Sequence, residues 1–187
     1  LPKPVKRSLV FLLLSVAFWY MAYNAVTTAF SKYATEMWGM EGGGFAGALM
    51  VASVGALISF IPVGIISSKI GRKKVILFGV LLLAASFLCG CLFKTPNFGV
   101  NIVFLLVGMA WASINVNSYP MVVEMCKGSD IGKFTGMYYT FSMAAQVLTP
   151  ILSGFFLEHV GYWTLFSYAT LFSVIAFCTM LNVKHGD

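Results

Sequence analysis

Charged residues divide this chain of 187 residues into six long stretches free of Asp, Glu, Lys and Arg, and the lengths of those stretches constrain the fold more than any other feature. They run from Ser8 to Ser31, Gly42 to Ser68, Val75 to Phe93, Thr95 to Val123, Phe134 to Leu157 and Val160 to Val183. A helix rises about 1.5 Å per residue, so about 20 mostly apolar residues cross the hydrocarbon core of a bilayer. All six stretches are close to that length or longer. Only 10% of the residues are charged and the mean hydropathy is +0.89, whereas a soluble domain carries about 25% charged residues. A transmembrane barrel would show strands of about ten residues with alternating polarity, and no such alternation is present. The expected fold is all-α and integral to the membrane, with spans at about 8–31, 45–68, 75–93, 99–124, 133–157 and 162–183.

The net charge of +6 would suit a nucleic-acid partner if the cations formed one surface patch. Their positions argue otherwise. If residue 1 is cytoplasmic, Lys3, Lys6, Arg7, Lys69, Arg72, Lys73, Lys74, Lys127, Lys133 and Lys184 all fall inside, and only Lys32 and Lys94 fall outside. That asymmetry is the positive-inside rule, so basicity reports topology, both termini are expected in the cytoplasm, and nucleic acid is excluded as a partner. Tyr33, Trp38, Tyr162 and Trp163 fall where spans meet the outer interface. The connecting loops are too short for an extramembrane domain.

Cys89, Cys91, Cys126 and Cys178 lack paired spacing and read as buried, small apolar residues. His159 and His185 belong to no ligand cluster, so neither a metal nor a cofactor is expected. GSDIGKF from Gly128 fails the spacing of a phosphate-binding loop, and with no intramembrane dyad the chain is not expected to be an enzyme. Residue 1 is not Met, which suggests an excerpt from a longer polypeptide.

Spans two and five each carry one proline at a similar depth, Pro62 and Pro150, although they cross the membrane in opposite directions. Matching interruptions in oppositely oriented halves point to two three-helix inverted repeats, as in transporters. Spans three and six are almost wholly apolar, as lipid-facing helices should be. Polar groups concentrate on three others: Tyr20 and Asn24 with Thr27 or Thr28 on span one, Trp111 and Asn115 with Ser118 or Tyr119 on span four, and Tyr139, Ser142, Gln146 and Thr149 on span five. Tyr20, Asn24, Trp111, Asn115, Ser142 and Gln146 lie near the midplane, where an unpaired amide costs several kcal/mol, so they should face one another or a wet cavity. Interhelical hydrogen bonding would satisfy them as well as a substrate would. On span two, Ala48, Ala52 and Ala56 form a stripe beside Gly55 and Ser59 that suits close helix packing, and Gly132 and Gly136 read in the same way.

The segment PVGIISSKIGRKKVILFG, from Pro62 to Gly79, resembles the cytoplasmic loop signature of the major facilitator superfamily through Gly64, Lys69, Gly71, Arg72 and Lys73, although Ser68 stands where that signature usually has Asp. FWYMAYNAVTTAFSKYA from Phe18 and NSYPMVVEMCKGSDIGKFTGMYY from Asn117 resemble the second half of bacterial relatives of sucrose and disaccharide cation symporters within it. The resemblance implies that residues 1–7 end a central cytoplasmic loop and that residues 8–187 are the C-terminal six-helix bundle of a twelve-helix carrier. It further implies a multi-pass protein of the plasma membrane, a bacterial inner membrane, and a gating contact between Glu124 and Arg72.

The function expected from this is alternating-access symport of a sugar with a cation, normally a proton, in which rings and amides of the six midplane residues bind a small neutral polar solute. No titratable group lies at mid-depth, so the coupling cation is expected in the absent N-terminal half. A drug or metabolite exporter of the same superfamily is the nearest alternative, and a six-helix structural or assembly subunit is another.

Overall fold

The computed structural model describes residues 2–40, 44–95, 97–127 and 130–187. Among them are six helices, each long and apolar enough to cross a membrane: α1 (Lys3–Trp38), α2 (Gly44–Ile70), α3 (Arg72–Leu92), α4 (Phe98–Met125), α5 (Ile131–His159) and α6 (Thr164–Leu181). Gly128 and Ser129, where the rejected phosphate-loop reading begins, lie outside the described residues.

Helix ends follow local chemistry. Gly39 terminates α1 in the left-handed region at φ 66°, which a residue with a Cβ adopts only with strain. Asn97 caps α4 by accepting the Gly99 N–H at 2.8 Å, and Asp130 caps α5 by accepting that of Lys133 at 3.1 Å. Gly71, at φ 101°, is the single residue that turns the chain from α2 into α3.

Packing reveals the repeat directly. α1 lies along α5 and α6, α4 lies along α2 and α3, and α3 lies against α6, with lighter contacts from α1 to α2 and α4, from α5 to α4 and α6, and from α2 to α3. Exchanging α1 with α4, α2 with α5 and α3 with α6 returns the same set of contacts. Because an odd number of crossings separates the exchanged helices, the two halves are inverted. The all-α bundle of two inverted three-helix repeats is therefore present.

The core sits between α1, α3, α4 and α6, filled by Trp19, Phe30, Phe87, Phe104 and Phe166. Over their apolar stretches 56% of α1 and 50% of α4 are buried, against 17% of α2 and 28% of α5. Within this chain α2 and α5 are the least buried helices. α3 and α6 bury 50% and 44% of theirs, partly against each other, and leave large apolar side chains such as Phe78, Leu88 and Leu171 exposed. Lipid tails are as apolar as leucine, so composition does not distinguish a face packed on a helix from one packed on lipid. The cysteines carry the same lesson: Cys126 is buried, but Cys89, Cys91 and Cys178 are exposed.

Close packing occurs where the small stripe of α2 meets α4. A Cβ on Gly108 would overlap the Ala52 carbonyl, and one on Gly55 would lie 3.0 Å from the Leu105 carbonyl oxygen. Gly132 and Gly136 do not behave in this way. A Cβ on Gly136 meets nothing within 4 Å, and one on Gly132 meets only Asp130 Oδ1 at 3.4 Å.

Candidate functional site

Two of the most buried helices, α1 and α4, exchange under the internal symmetry and carry matching devices. Asn24 donates through Nδ2 to the Tyr20 carbonyl at 2.9 Å, and Asn115 donates to the Trp111 carbonyl, also at 2.9 Å. Each amide lies one turn after an aromatic residue and is oriented by its own helix, which leaves its Oδ1 as an acceptor. The Tyr20 hydroxyl donates to Asn115 Oδ1 at 3.3 Å, and the Tyr20 ring meets Trp111 edge-on at 5.1 Å between centroids.

Tyr23 completes this group. Its ring stacks on Trp111 at 3.9 Å with 6° between the planes, so the indole is held between two tyrosines of α1. Sequence reasoning passed over Tyr23, yet its position three residues after Tyr20 placed it on the same helical face. Tyr20, Tyr23, Asn24, Trp111 and Asn115 are all half-buried, and a cavity of about 170 Å³ touches the group through Tyr23.

The contribution of α5 differs from the expectation. Its buried line runs Tyr138, Ser142, Ala145, Thr149 and Ser153. Ser142 is buried and returns its hydroxyl to the Tyr139 carbonyl at 3.0 Å, so it is not presented to a ligand. Gln146 and Tyr139 are exposed, lying about 60–80° around the helix from that line at 100° per residue. The stripe read from the sequence straddled the edge of the buried face, whereas Tyr138 belongs inside it. Tyr138 shares a hydrogen bond of 2.8 Å with Ser118, and Tyr119 one of 2.9 Å with Thr135, tying α5 to α4. Thus the structure brings Tyr20, Trp111 and Asn115 together with Asn24 one turn along, buries Ser142 with its hydroxyl turned back to its own helix, and leaves Gln146 exposed.

At the end of the bundle that carries most of the basic residues, Gly64, Gly71, Arg72 and Glu124 line a cavity of about 540 Å³ with Asp187. The expected ion pair is not formed there. Glu124 Oε2 lies 3.6 Å from Lys127 Nζ, while Arg72 donates to the Gly186 carbonyl at 3.3 Å. Asp187 Oδ1 accepts the Lys73 backbone N–H at 2.9 Å, and Lys73 Nζ donates to the Leu181 carbonyl at 3.3 Å. The tail after α6 therefore occupies the first turn of α3, where a carboxylate complements the positive end of the helix. Lys69 stays exposed, at the end of α2.

These contacts set an order of effects. Asp187→Ala is expected to cost about 1 kcal/mol as a lost cap, and Glu124→Gln less than about 0.5 kcal/mol as a lost, mostly solvated pair. Detergent unfolding of the purified chain, followed by circular dichroism, measures both. A larger loss for Glu124→Gln would restore the Arg72 contact.

No cluster of three or more His, Cys, Asp or Glu side chains that could hold a metal occurs among the described residues. The comparisons with known proteins agree on one kind of molecule. The model of the Major Facilitator Superfamily matches residues 9–185. An uncharacterised transporter of that type from Bacillus subtilis, YfkL, is 25% identical over 137 residues, covering 73% of this chain and 34% of the relative. The crystal structure of the human organic anion transporter MFSD10 (TETRAN) superposes with a TM-score of 0.73 at 14% identity, over 100% of this chain and 49% of that one, which is a likeness of fold. The chain thus spans about a third to a half of the length of these relatives.

Proposed function

The chain belongs to the Major Facilitator Superfamily, and on that premise we propose that it is the second six-helix half of a secondary transporter which imports a sugar together with a cation. The observation that carries this reading is the Tyr20, Tyr23, Trp111 and Asn115 group. It offers flat aromatic faces and an oriented amide on the two helices related by the internal symmetry, with every Lys and Arg of the chain at the bundle ends. A sugar presents weakly polar ring faces to aromatic groups and hydroxyls to amides, and it requires no counter-charge. An organic anion, the class of solute for which the human transporter MFSD10 is named, would be better served by a cation on that face.

In the proposed carrier this bundle rocks against a second one and exposes the site to each side of the membrane in turn. The exposed Gln146 and Tyr139 lie on the rim that such a partner would approach. The coupling acid belongs to the other half, because the acidic residues among the described ones, Glu36, Glu124, Asp130, Glu158 and Asp187, lie in loops or at helix ends. The plasma membrane of a bacterium, with both termini in the cytoplasm, is the proposed setting.

Proteoliposomes containing the full-length carrier provide the test. Labelled disaccharide should accumulate when an inward proton gradient is imposed and should fail to accumulate when an ionophore collapses it. Export of dyes with no sugar uptake would overturn the proposal in favour of a drug exporter.

A further inference from the structure

Two clefts open at the basic end of the bundle, and their chemistry differs. The cleft beside Arg72 contains two carboxylates, Glu124 and Asp187, which match its charge. The other, about 340 Å³, lies between the first turns of α1 and the segment after α6 and is lined by Lys3, Pro4, Arg7, Ser8, Asn182, Lys184 and His185. It holds three permanent cations and no acidic side chain. Among the described residues neither Lys3, Arg7 nor Lys184 forms an ion pair. Mutual repulsion among such groups is relieved when an anion binds between them.

The cleft is constructed rather than left by chance. Ser8, buried at its base, accepts the Lys184 backbone N–H at 3.0 Å and shares a hydrogen bond of 2.8 Å with His185 Nδ1. These bonds fasten the segment after α6 onto α1 and place Lys184 and His185 opposite Arg7. Arg7 is steadied by the Phe11 ring, 5.7 Å from its guanidinium carbon.

We propose that this cleft binds the phosphate headgroup of an anionic phospholipid. The pattern below it favours a lipid over a free anion. Lys3, Arg7, Val10 and Leu14 follow at spacings of four, three and four along one face of α1, a single stripe that passes from cations to hydrocarbon. Val10 is 54% exposed and, across the α1–α6 seam, Leu181 is 50% exposed, so acyl chains have apolar surface directly beneath the headgroup. Basic side chains near a membrane surface each contribute about fivefold to anionic-lipid affinity.

Native mass spectrometry of the full-length carrier in detergent, titrated separately with phosphatidylglycerol and with phosphatidylcholine of the same acyl chains, tests the assignment. Phosphatidylglycerol should bind in preference. Arg7→Gln with Lys184→Gln should weaken it about 25-fold, whereas Lys74→Gln with Lys133→Gln, the same charge change on exposed residues of the same end, should change it less than about twofold. Should the first pair fail to fold, Arg7→Gln alone, expected to weaken binding about fivefold, carries the test. Equal weakening by both pairs, or equal affinity for the two lipids, would overturn the proposal. Inorganic phosphate binding as tightly as the lipid would overturn the lipid assignment in favour of a free anion.

Discussion

Replacing Gly108 by alanine is expected to destabilise the bundle by about 3 kcal/mol, and replacing it by leucine to prevent assembly. At this point α4 rests on the backbone of α2, and the new methyl would overlap the Ala52 carbonyl and come within 3.0 Å of the Ala56 nitrogen. Both obstacles are backbone atoms inside regular helices, so no side chain can rotate away, and the helices must separate along their whole interface. Alanine's better helix propensity returns about 1 kcal/mol, which is too little to reverse the sign. Gly136→Ala serves as the internal control. It enters open space and should stabilise by about 0.5–1 kcal/mol. Detergent titration of the two variants, followed by helicity and by elution volume, distinguishes them, and an equal response would show that α2 and α4 do not meet backbone to backbone.

Trp111→Ala in the full-length carrier is expected to lower the kcat/KM of sugar uptake about thirtyfold, and the double variant with Asn115→Ala about a hundredfold. The indole is the shared surface of the group, stacked on Tyr23 and met edge-on by Tyr20, so its removal eliminates one flat face and releases two others. Asn115 gives one Nδ2 hydrogen to the Trp111 carbonyl and accepts the Tyr20 hydroxyl on Oδ1, which leaves a second N–H and a second lone pair for a sugar hydroxyl, and alanine there removes these and leaves the Tyr20 hydroxyl without that partner. Ser142→Ala should leave uptake within about twofold, because its hydroxyl is already consumed by its own helix. Uptake initial rates at several sugar concentrations read these effects. Full activity in Trp111→Ala would remove the support for a sugar site on this face, whereas loss of activity in Ser142→Ala would return α5 to the binding surface.

Much of the candidate cluster was legible on α1 and α4 and little of it on α5, for a reason visible in the helices themselves. Tyr20, Asn24, Trp111 and Asn115 are bulky polar residues on otherwise apolar helices, and the four-residue spacing alone assigns each pair to one face. On α5, polar residues occur all round, and a reading centred on Tyr139 and Gln146 rather than on Tyr138 and Ser142 shifts the face by less than a quarter turn. Periodicity locates a stripe only to about that precision. The contact of Arg72 had no such signal. The tail that reaches it is separated by 114 residues, and its carboxylate could be assigned to α3 only after the chain was folded.

What the sequence determined by itself was the number of crossings, their inverted pairing and the gathering of ten basic residues at one end. A charge in hydrocarbon is so costly that each span is delimited locally, residue by residue. What only the tertiary structure decided was which flank of each helix meets protein. Between apolar side chains and acyl chains there is almost no difference in solvation free energy, so the choice rests on shape, on Gly108 against Ala52 and Gly55 against Leu105, and shape belongs to pairs of helices rather than to any one stretch of sequence.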